Sequence, residues 1–158
     1  MQNPIAFQIR ALSGEDVGVM RKMLALFGEA FEERPTYTQA QPTDSYLKAL
    51  LSGESFIAVV AMSELQVVGG LAAYALPKFE QARTEIYIYD LAVDEAHRRR
   101  GIATAMIEEL KTIARAKGAY VIFVQADHGD DAAIALYSSM GSGEDALQFD
   151  IAPARLSE

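Results

Sequence analysis

Three consecutive arginines stand before a glycine and a helical pattern, and this order of residue types suits phosphate binding. The run Arg98-Arg99-Arg100-Gly101-Ile102-Ala103 follows a strand-like segment that ends at Val93. Unpaired N–H groups at a helix N-terminus attract a pyrophosphate, and the positive end of the helix dipole adds to this attraction. Gly101 and Ala103 leave room for the ligand, and arginine side chains add charge-assisted contacts. We therefore interpret this segment as a pyrophosphate-binding loop.

Two alternatives compete with this interpretation: a different phosphate-bearing ligand and a solvated arginine cluster. The chain contains neither G-x-x-x-x-G-K-[ST] nor G-x-G-x-x-G, which disfavours ATP and NAD as the phosphate-bearing ligand. An isolated R-x-x-G-x-A is more often a solvated arginine cluster before an ordinary helix. Its position directly after the strand-like Leu91-Ala92-Val93 favours phosphate binding here.

Composition limits the kinds of protein that this chain can be. With 158 residues, 51% of them hydrophobic and 23% charged, the chain is expected to form a single globular domain over residues 1–158. The absence of cysteine excludes disulfides, thiolate metal sites and a cysteine nucleophile, and two histidines make a protein-held metal unexpected. The apolar runs are too short to span a bilayer and no secretion signal is recognised, so the predicted location is cytoplasmic, without a membrane partner.

The charge of the chain favours a cationic partner. A net charge of -8 disfavours binding to nucleic acid or to an anionic membrane. Positive charge is nevertheless concentrated at His97 to Arg100. An acidic protein with one basic patch is expected to bind two ligands of opposite sign.

Hydrophobic spacing predicts an α/β protein with a mixed sheet and helices packed on its faces. Helices are predicted at 17–31, 43–51, 102–117 and 130–140, and a loop at the polar segment around Pro35 and Pro42. Strands are predicted at 5–12, 56–62, 66–76, 83–93, 120–126 and 146–151. The nearly continuous apolar run from Tyr120 to Ala126 is typical of a buried central strand, and Ala146 to Ile151 is a candidate last strand.

The run from Tyr87 to Gly118 resembles the central motif of the GNAT (GCN5-related N-acetyltransferase) superfamily. In that motif, [RQ]-x-x-G-x-[GA] holds the pyrophosphate of coenzyme A, and Arg98, Gly101 and Ala103 match it. The resemblance implies a mostly antiparallel mixed sheet, splayed at its central strand and flanked by helices on both faces. It also implies acetyl-coenzyme A as cosubstrate, with no metal.

A closer resemblance is to the aminoglycoside 3-N-acetyltransferases of the gentamicin-resistance type. It rests on A-Y-A-L-P-K-F-E-Q-A-R-T-E-I-Y-I-Y-D-L-A-V at 73–93, on G-A-Y-V-I-F-V-Q-A-D-H-G-D-D at 118–131 and on Leu136-Tyr137. It implies acetylation of the 3-amino group of deoxystreptamine in antibiotics such as gentamicin, hence resistance. Family members are commonly homodimers.

The resemblance also implies positions for the coenzyme and for the leaving group. The strand before the loop is expected to bulge, so that its backbone binds the pantetheine arm and polarises the thioester carbonyl. Tyr137 is the predicted general acid for the leaving thiolate. The expected coenzyme contacts are Leu91, Ala92, Val93, Arg98, Arg99, Arg100, Gly101, Ile102, Ala103 and Thr104.

Asp90 is the predicted general base, because a carboxylate next to the bulge both attracts an ammonium and accepts its proton. The bulge is expected one residue after Asp90. Glu85, Tyr89 and His128 are weaker candidates for the base. Acidic and aromatic residues are predicted to line the acceptor site: Glu32, Glu33, Tyr74, Glu80, Glu85, Tyr89, Asp127, Asp130 and Asp131. Tyr37 and Tyr74 are available to stack on sugar faces.

Asp130 stands where the superfamily often has an asparagine, so we expect its side chain to face the cationic acceptor or solvent rather than the coenzyme. Three other functions remain open at this point: acetylation of a protein, peptide or polyamine amine, coenzyme A binding without catalysis, and nucleic-acid binding through Arg98 to Arg100. The negative charge disfavours the last of these.

Overall fold

The computed structural model describes residues 6–154. These residues form two compact units, which divide after Gln125. The first unit contains five strands and four helices: β1 (Gln8–Ala11), α1 (Val17–Ala30), α2 (Arg34–Tyr37), α3 (Asp44–Ser52), β2 (Phe56–Ser63), β3 (Gln66–Pro77), β4 (Thr84–Val93), α4 (Ile102–Ala116) and β5 (Ala119–Val124). A short 3-10 turn at Glu95–His97 separates β4 from α4. The second unit contains one helix, α5 (Asp131–Met140).

The strands form one sheet in the order β1-β2-β3-β4-β5. Every neighbouring pair is antiparallel except β4 and β5, which are parallel. The helix α4 and its turns join β4 to β5, as a parallel connection requires. The predicted mixed, mostly antiparallel sheet is therefore confirmed.

Helices cover both faces of this sheet, and two adjacent glycines on β3 show how closely they approach. A Cβ atom on Gly70 would lie 2.5 Å from the Met23 side chain of α1. A Cβ on Gly69 would lie 2.9 Å from the Ile102 side chain of α4. Consecutive strand residues point to opposite faces, so α1 and α4 pack on different sides of the sheet. Neither helix could sit so close to β3 if these residues carried side chains.

Two strand predictions at the end of the chain are wrong. Among residues 6–154, β5 pairs with β4 alone and lies at the edge of the sheet. Tyr120 and Val121 are 47% and 39% exposed, so β5 is not a buried central strand. No strand occurs at residues 146–151, where Leu147 and Phe149 are 85% and 78% exposed. An alternating apolar pattern makes a strand only where another strand supplies backbone partners, and the described residues supply none there.

The helix α2 was not predicted, because Pro35 was interpreted as part of a loop. Proline is compatible with the first turn of a helix, where its missing N–H has no intrahelical partner anyway. The structure places Pro35 in that turn, and α2 ends at Tyr37. This single turn fixes the direction of the Tyr37 side chain.

In the second unit, α5 begins as predicted, with Asp130 as its N-cap. The Asp130 carboxylate accepts a hydrogen bond of 3.2 Å from the Ala133 N–H. Across residues 6–154, no helix is both long enough and apolar enough to cross a membrane. The same residues contain no group of three or more His, Cys, Asp or Glu suited to a metal ion.

Candidate active site

The parallel pairing of β4 with β5 stops halfway along β4 and leaves one edge of that strand open. Pairing runs from Thr84 to Ile88, whereas β4 continues to Val93 and remains paired with β3 on its other side. Beyond Ile88, no strand among the described residues pairs with the β5 side of β4. The backbone of Leu91 to Val93 is therefore placed to accept an extended amide-bearing ligand in the position of a missing strand.

The bulge in β4 lies at Tyr89. Ala72 pairs with Asp90 and Ala73 pairs with Ile88, so Tyr89 is the extra residue. The bulge was predicted one residue after Asp90, and it lies one residue before it. Asp90 therefore lies at the beginning of the half of β4 that is not paired with β5. A bulge bends the strand and changes the direction of the side chain that follows it.

The arginine-rich segment forms a tight loop before α4. The His97 Nδ1 lies 2.7 Å from the Asp94 carboxylate, and the Arg98 Nε donates to the Val93 carbonyl at 3.2 Å. Arg99 and Gly101 have φ angles of +64° and +76°, in the left-handed region. A non-glycine residue in this region is uncommon and marks a loop whose shape is imposed by its surroundings.

The start of α4 supplies free hydrogen-bond donors. No side chain caps the helix at Gly101, and the first intrahelical bond runs from the Ala105 N–H to the Gly101 carbonyl at 2.9 Å. The N–H groups of residues 102–104 have no backbone partner among the described residues. Together with the exposed guanidinium groups of Arg98 to Arg100, these donors fit a pyrophosphate.

Asp90 is half-buried and receives one hydrogen bond from a distant part of the chain. The Tyr37 hydroxyl donates to the Asp90 carboxylate at 2.9 Å, across 53 residues of sequence. Burial raises the pKa of Asp90, and the Tyr37 hydrogen bond offsets part of this rise. No lysine, arginine or histidine within residues 6–154 forms a salt bridge with Asp90.

An exposed aromatic surface adjoins Asp90. The rings of Tyr74 and Tyr89 meet edge to face with centroids 5.8 Å apart, and these residues are 37% and 61% exposed. Tyr87 also lies 5.8 Å from Tyr89 and stacks on Phe123 at 4.6 Å. Burial and the neighbouring negative charge of Asp90 raise the pKa values of Tyr74 and Tyr87. The predicted residues Tyr74, Tyr89 and Asp90 are thus brought together.

Glu80 and Glu85 have a different environment, since both are paired with cations at the β3–β4 connection. Lys78 lies 3.5 Å from Glu85 and 4.0 Å from Glu80, and Arg83 lies 3.2 Å from Glu80. Tyr120 donates its hydroxyl to Glu85, and the Arg83 guanidinium lies 3.8 Å from the centre of the Tyr120 ring. The negative charge of these two carboxylates is already compensated within the protein.

The sequence model of the acetyltransferase (GNAT) family matches residues 20–141. This chain belongs to that family. GNAT enzymes use acetyl-coenzyme A, which is the pyrophosphate-bearing ligand that the loop before α4 fits.

Two solved structures of known proteins are similar to this chain over nearly its whole length. The GNAT domain is similar to an aminoglycoside acetyltransferase, HMB0005, from an uncultured soil metagenomic sample, with 54% identity, a TM-score of 0.92, and coverage of 94% of this chain and 99% of that one. It is also similar to meta-AAC0020, an aminoglycoside acetyltransferase from an uncultured soil metagenomic sample whose crystal structure contains sisomicin, with 31% identity, a TM-score of 0.86 and coverage of 94% and 97%.

Human N-acetyltransferase 8 is 32% identical over 109 residues, which are 69% of this chain and 48% of the human protein. The chain therefore spans about half the length of this curated relative.

Two further predicted acids of the GNAT site, Glu32 and Glu33, connect α1 to α2. Glu33 directly precedes α2. Burial and the contact with Asp90 raise the pKa of Tyr37, and the negative charge of Glu33 adds the smallest part of this rise. Glu33 is therefore near Tyr37, whereas Glu80 and Glu85 are paired with Lys78 and Arg83. The other predicted residues lie in the second unit: Asp127, His128, Asp130, Asp131 and Tyr137.

Within that unit, burial and the charge of Asp130 raise the pKa of Tyr137, which keeps its hydroxyl protonated. His128 is 93% exposed in its side chain and lies 3.6 Å from Asp145.

The link from Tyr37 to Asp90 was missed in the sequence, where Tyr37 was interpreted only as a sugar-stacking residue. No local signal connects two residues 53 positions apart. The pairing of Glu85 was also missed, although Lys78, Glu80, Arg83 and Glu85 alternate in charge over a short turn. Such alternation close to a hairpin is a usable signal for internal ion pairing.

Proposed function

We propose that this acetyltransferase transfers the acetyl group of acetyl-coenzyme A to an aminoglycoside, at the 3-amino group of the deoxystreptamine ring. The similarity to HMB0005, at 54% identity over nearly the whole chain, carries the choice of substrate class. The position of the amino group comes from the resemblance of residues 73–93 and 118–131 to the gentamicin-modifying enzymes. A net charge of -8 suits a polycationic substrate.

On the donor side, the uncapped start of α4 and the arginines of the loop would hold the pyrophosphate. The open edge of β4 from Leu91 to Val93 would bind the pantetheine arm through backbone groups. Bound acetyl-coenzyme A supplies an acetyl thioester to the acceptor amine. Because the chain has no cysteine, an acetyl-cysteine intermediate is excluded. The proposed route is direct attack of the acceptor amine on the thioester in a ternary complex.

On the acceptor side, Asp90 accepts a proton from the substrate ammonium, either directly or through a water molecule. Two features favour Asp90: its pKa is raised by burial, and no cation of the described residues compensates its charge. A raised pKa makes a carboxylate a better proton acceptor near neutral pH. The exposed rings of Tyr74 and Tyr89 next to Asp90 would contact the faces of the sugar rings.

Tyr137 is proposed to donate its hydroxyl proton to the leaving sulfur. The step forms one C–N bond and breaks the C–S bond of the thioester. The nitrogen loses two protons: one passes to Asp90 before attack, and one leaves the tetrahedral intermediate and replaces the proton that Tyr137 gives to the thiolate. The raised pKa of Tyr137 is consistent with a phenol that stays protonated until the sulfur leaves.

The test is regiochemical. Purified protein is incubated with acetyl-coenzyme A and gentamicin, sisomicin, spermidine or an alanine-initiated peptide, and free thiol is followed with time. The proposal expects turnover with the two aminoglycosides and a new amide at the 3-amino group by NMR. An amide at another amine would overturn the 3-amino assignment, and turnover of spermidine or the peptide alone would overturn the substrate class.

A further inference from the structure

We propose that Tyr37 is a positioning residue for the general base: its hydroxyl fixes the Asp90 carboxylate at the bulge of β4 and holds it ionised for proton transfer. The inference rests on the proposed role of Asp90 as base. Tyr37 reaches Asp90 from α2, a different element from the strand that carries the base. It thereby makes the connection between α1 and α3 a part of the catalytic apparatus.

Packing holds the Tyr37 ring on one side. Its centroid lies 5.8 Å from that of Phe27, in an edge-to-face contact, and 5.7 Å from that of Phe31. Phe27 is 1% exposed and belongs to the core. The ring is thus seated on α1, and only the hydroxyl extends to Asp90.

Hydrogen bonds hold the Tyr37 backbone on the other side. The Gln41 side-chain amide donates to the Tyr37 carbonyl at 3.2 Å, and its own oxygen accepts from Arg21 at 2.7 Å. Arg21 also donates to the Pro42 carbonyl at 3.0 Å. A side chain fixed at both its ring and its backbone can orient a carboxylate at low entropic cost, as second-shell partners of catalytic groups do.

The charges around Asp90 leave Tyr37 as its main stabilising partner. Among the described residues, the titratable groups near the Tyr37–Asp90 pair are Glu33 before α2 (which acts on Tyr37), Tyr74 on β3, and Tyr87 and Tyr89 on β4. Tyr46 on α3 acts on Tyr74. All of these groups are neutral or negative near neutral pH. With burial opposing the charged form, the hydroxyl of Tyr37 is the donor that favours the ionised carboxylate.

The test is the variant Tyr37→Phe, which keeps the ring on Phe27 and Phe31 and removes only the hydroxyl. We expect the acid limb of the kcat/KM profile to move to higher pH, because the ionised form of Asp90 loses its hydrogen bond. On that limb kcat/KM should fall on the order of tenfold, the effect of one hydrogen bond to a charged group. Above the limb, activity should recover to within about threefold.

The matched control is Tyr120→Phe, which removes a tyrosine hydroxyl from Glu85 instead. It should leave the acid limb in place. A shift in Tyr120→Phe without one in Tyr37→Phe would overturn the inference in favour of Glu85. A uniform loss of rate in Tyr37→Phe at every pH would also overturn it, since a merely structural role lowers activity without moving the limb.

A second measurement does not depend on turnover. In protein labelled with carbon-13 at aspartate, the carboxyl resonance of Asp90 is titrated by NMR in the wild type and in Tyr37→Phe. A higher pKa in the variant supports the inference even if the acceptor is not an aminoglycoside, and an unchanged pKa overturns it. If Asp90→Asn retains full activity, the proposed base is wrong, whatever Tyr37→Phe shows.

Discussion

Tyr37 and Tyr120 each donate a hydroxyl hydrogen bond to a carboxylate, but the two pairs differ in burial and in neighbouring charge. Asp90, the partner of Tyr37, is half-buried and has no cationic partner among the described residues. Glu85, the partner of Tyr120, lies 3.5 Å from Lys78, in a cluster that also contains Arg83. The same type of donor, a tyrosine hydroxyl, therefore binds two carboxylates, one without a neighbouring cation and one with.

This difference separates a carboxylate that is available for chemistry from one that maintains structure. A fixed cation next to a carboxylate favours its ionised form and makes it a weaker acceptor for a substrate proton. Burial without a cation raises the pKa of Asp90, whereas Lys78 compensates the charge of Glu85. Both residues were predicted site residues on the same strand, and their surroundings rank Asp90 above Glu85 as the base.

The strongest test of this ranking compares Asp90→Asn with Glu85→Gln. Each variant replaces a carboxylate by an amide of the same shape. Asp90→Asn should lower kcat/KM by about 10² to 10⁴, the usual contribution of a general base, while Glu85→Gln should lower it less than about tenfold. Initial rates of thiol release with a saturating donor measure both.

Binding of coenzyme A should be unchanged within about threefold in both variants, because the proposed pyrophosphate donors lie at the loop and at the start of α4. Isothermal titration calorimetry provides this control. Equal losses of activity in the two variants would remove the distinction between the pairs, and a larger loss in Glu85→Gln would reverse it.

Most of the fold could be predicted because its determinants are local. The spacing of apolar residues in α1 and α4, the β-branched runs of β2 and β3, and Gly101 before α4 each specify an element within a short window. The strand expected at residues 146–151 shows the limit of such reasoning. An extended apolar pattern is local, but the pairing that makes it a strand depends on partners elsewhere in the chain.

The candidate site could be predicted in part for the same reason. The proposed phosphate loop is one continuous segment, so Arg98, Gly101 and Ala103 are enough to predict it. The position of the bulge was missed by two residues because it depends on register with β3, as the pairing of Ala72 with Asp90 shows. The Tyr37 hydrogen bond could not be foreseen either, since it joins α2 to β4 across 53 residues.

A smaller effect on kcat/KM should follow from removing Lys78 from the Glu85 cluster, which consists of Lys78, Glu80, Arg83 and Glu85. Lys78→Met leaves Glu85 without its ion-pair partner, so the cluster should attract a polycationic acceptor more strongly. We expect kcat/KM for gentamicin to rise about two- to fivefold at low salt, and the gain to disappear near 0.5 M salt because exposed charges are screened. Steady-state kinetics over a salt series measure this change.

Lys111→Met is the matched control for that variant. Lys111 pairs with Glu108 at 3.1 Å on α4, so the same substitution there removes an ion pair outside the β3–β4 connection. It should leave kcat/KM unchanged at every salt concentration. An equal gain in both variants would mean that net charge alone sets acceptor capture and that the Glu85 cluster has no special part in it.

The smallest effect, in thermal stability, should differ in sign between the two pairs. The pKa of Asp90 is higher in the folded state than in the unfolded state. The free energy of unfolding therefore falls as pH rises from the unfolded-state pKa to the folded-state pKa. Above that range, the ionised carboxylate lowers the free energy of unfolding by a constant amount. Asp90→Asn removes this cost and should raise Tm at pH 7.5 by about 1 to 3 °C. The gain should shrink as pH falls to about 3, below the ordinary aspartate pKa, where Asp90 becomes protonated in both states.

Glu85→Gln should instead lower Tm by about 1 to 3 °C at pH 7.5, because it breaks the attraction to Lys78, a partly exposed pair of the kind that contributes about 0 to 1 kcal/mol. Differential scanning calorimetry at the two pH values separates these cases. A lower Tm for Asp90→Asn would show that the ionised carboxylate and Tyr37 stabilise the fold, and that burial is not the dominant influence on Asp90. A higher Tm for Asp90→Asn together with a lower Tm for Glu85→Gln would mean that the charged Asp90 lowers the stability of the protein. This is expected for a residue retained for chemistry.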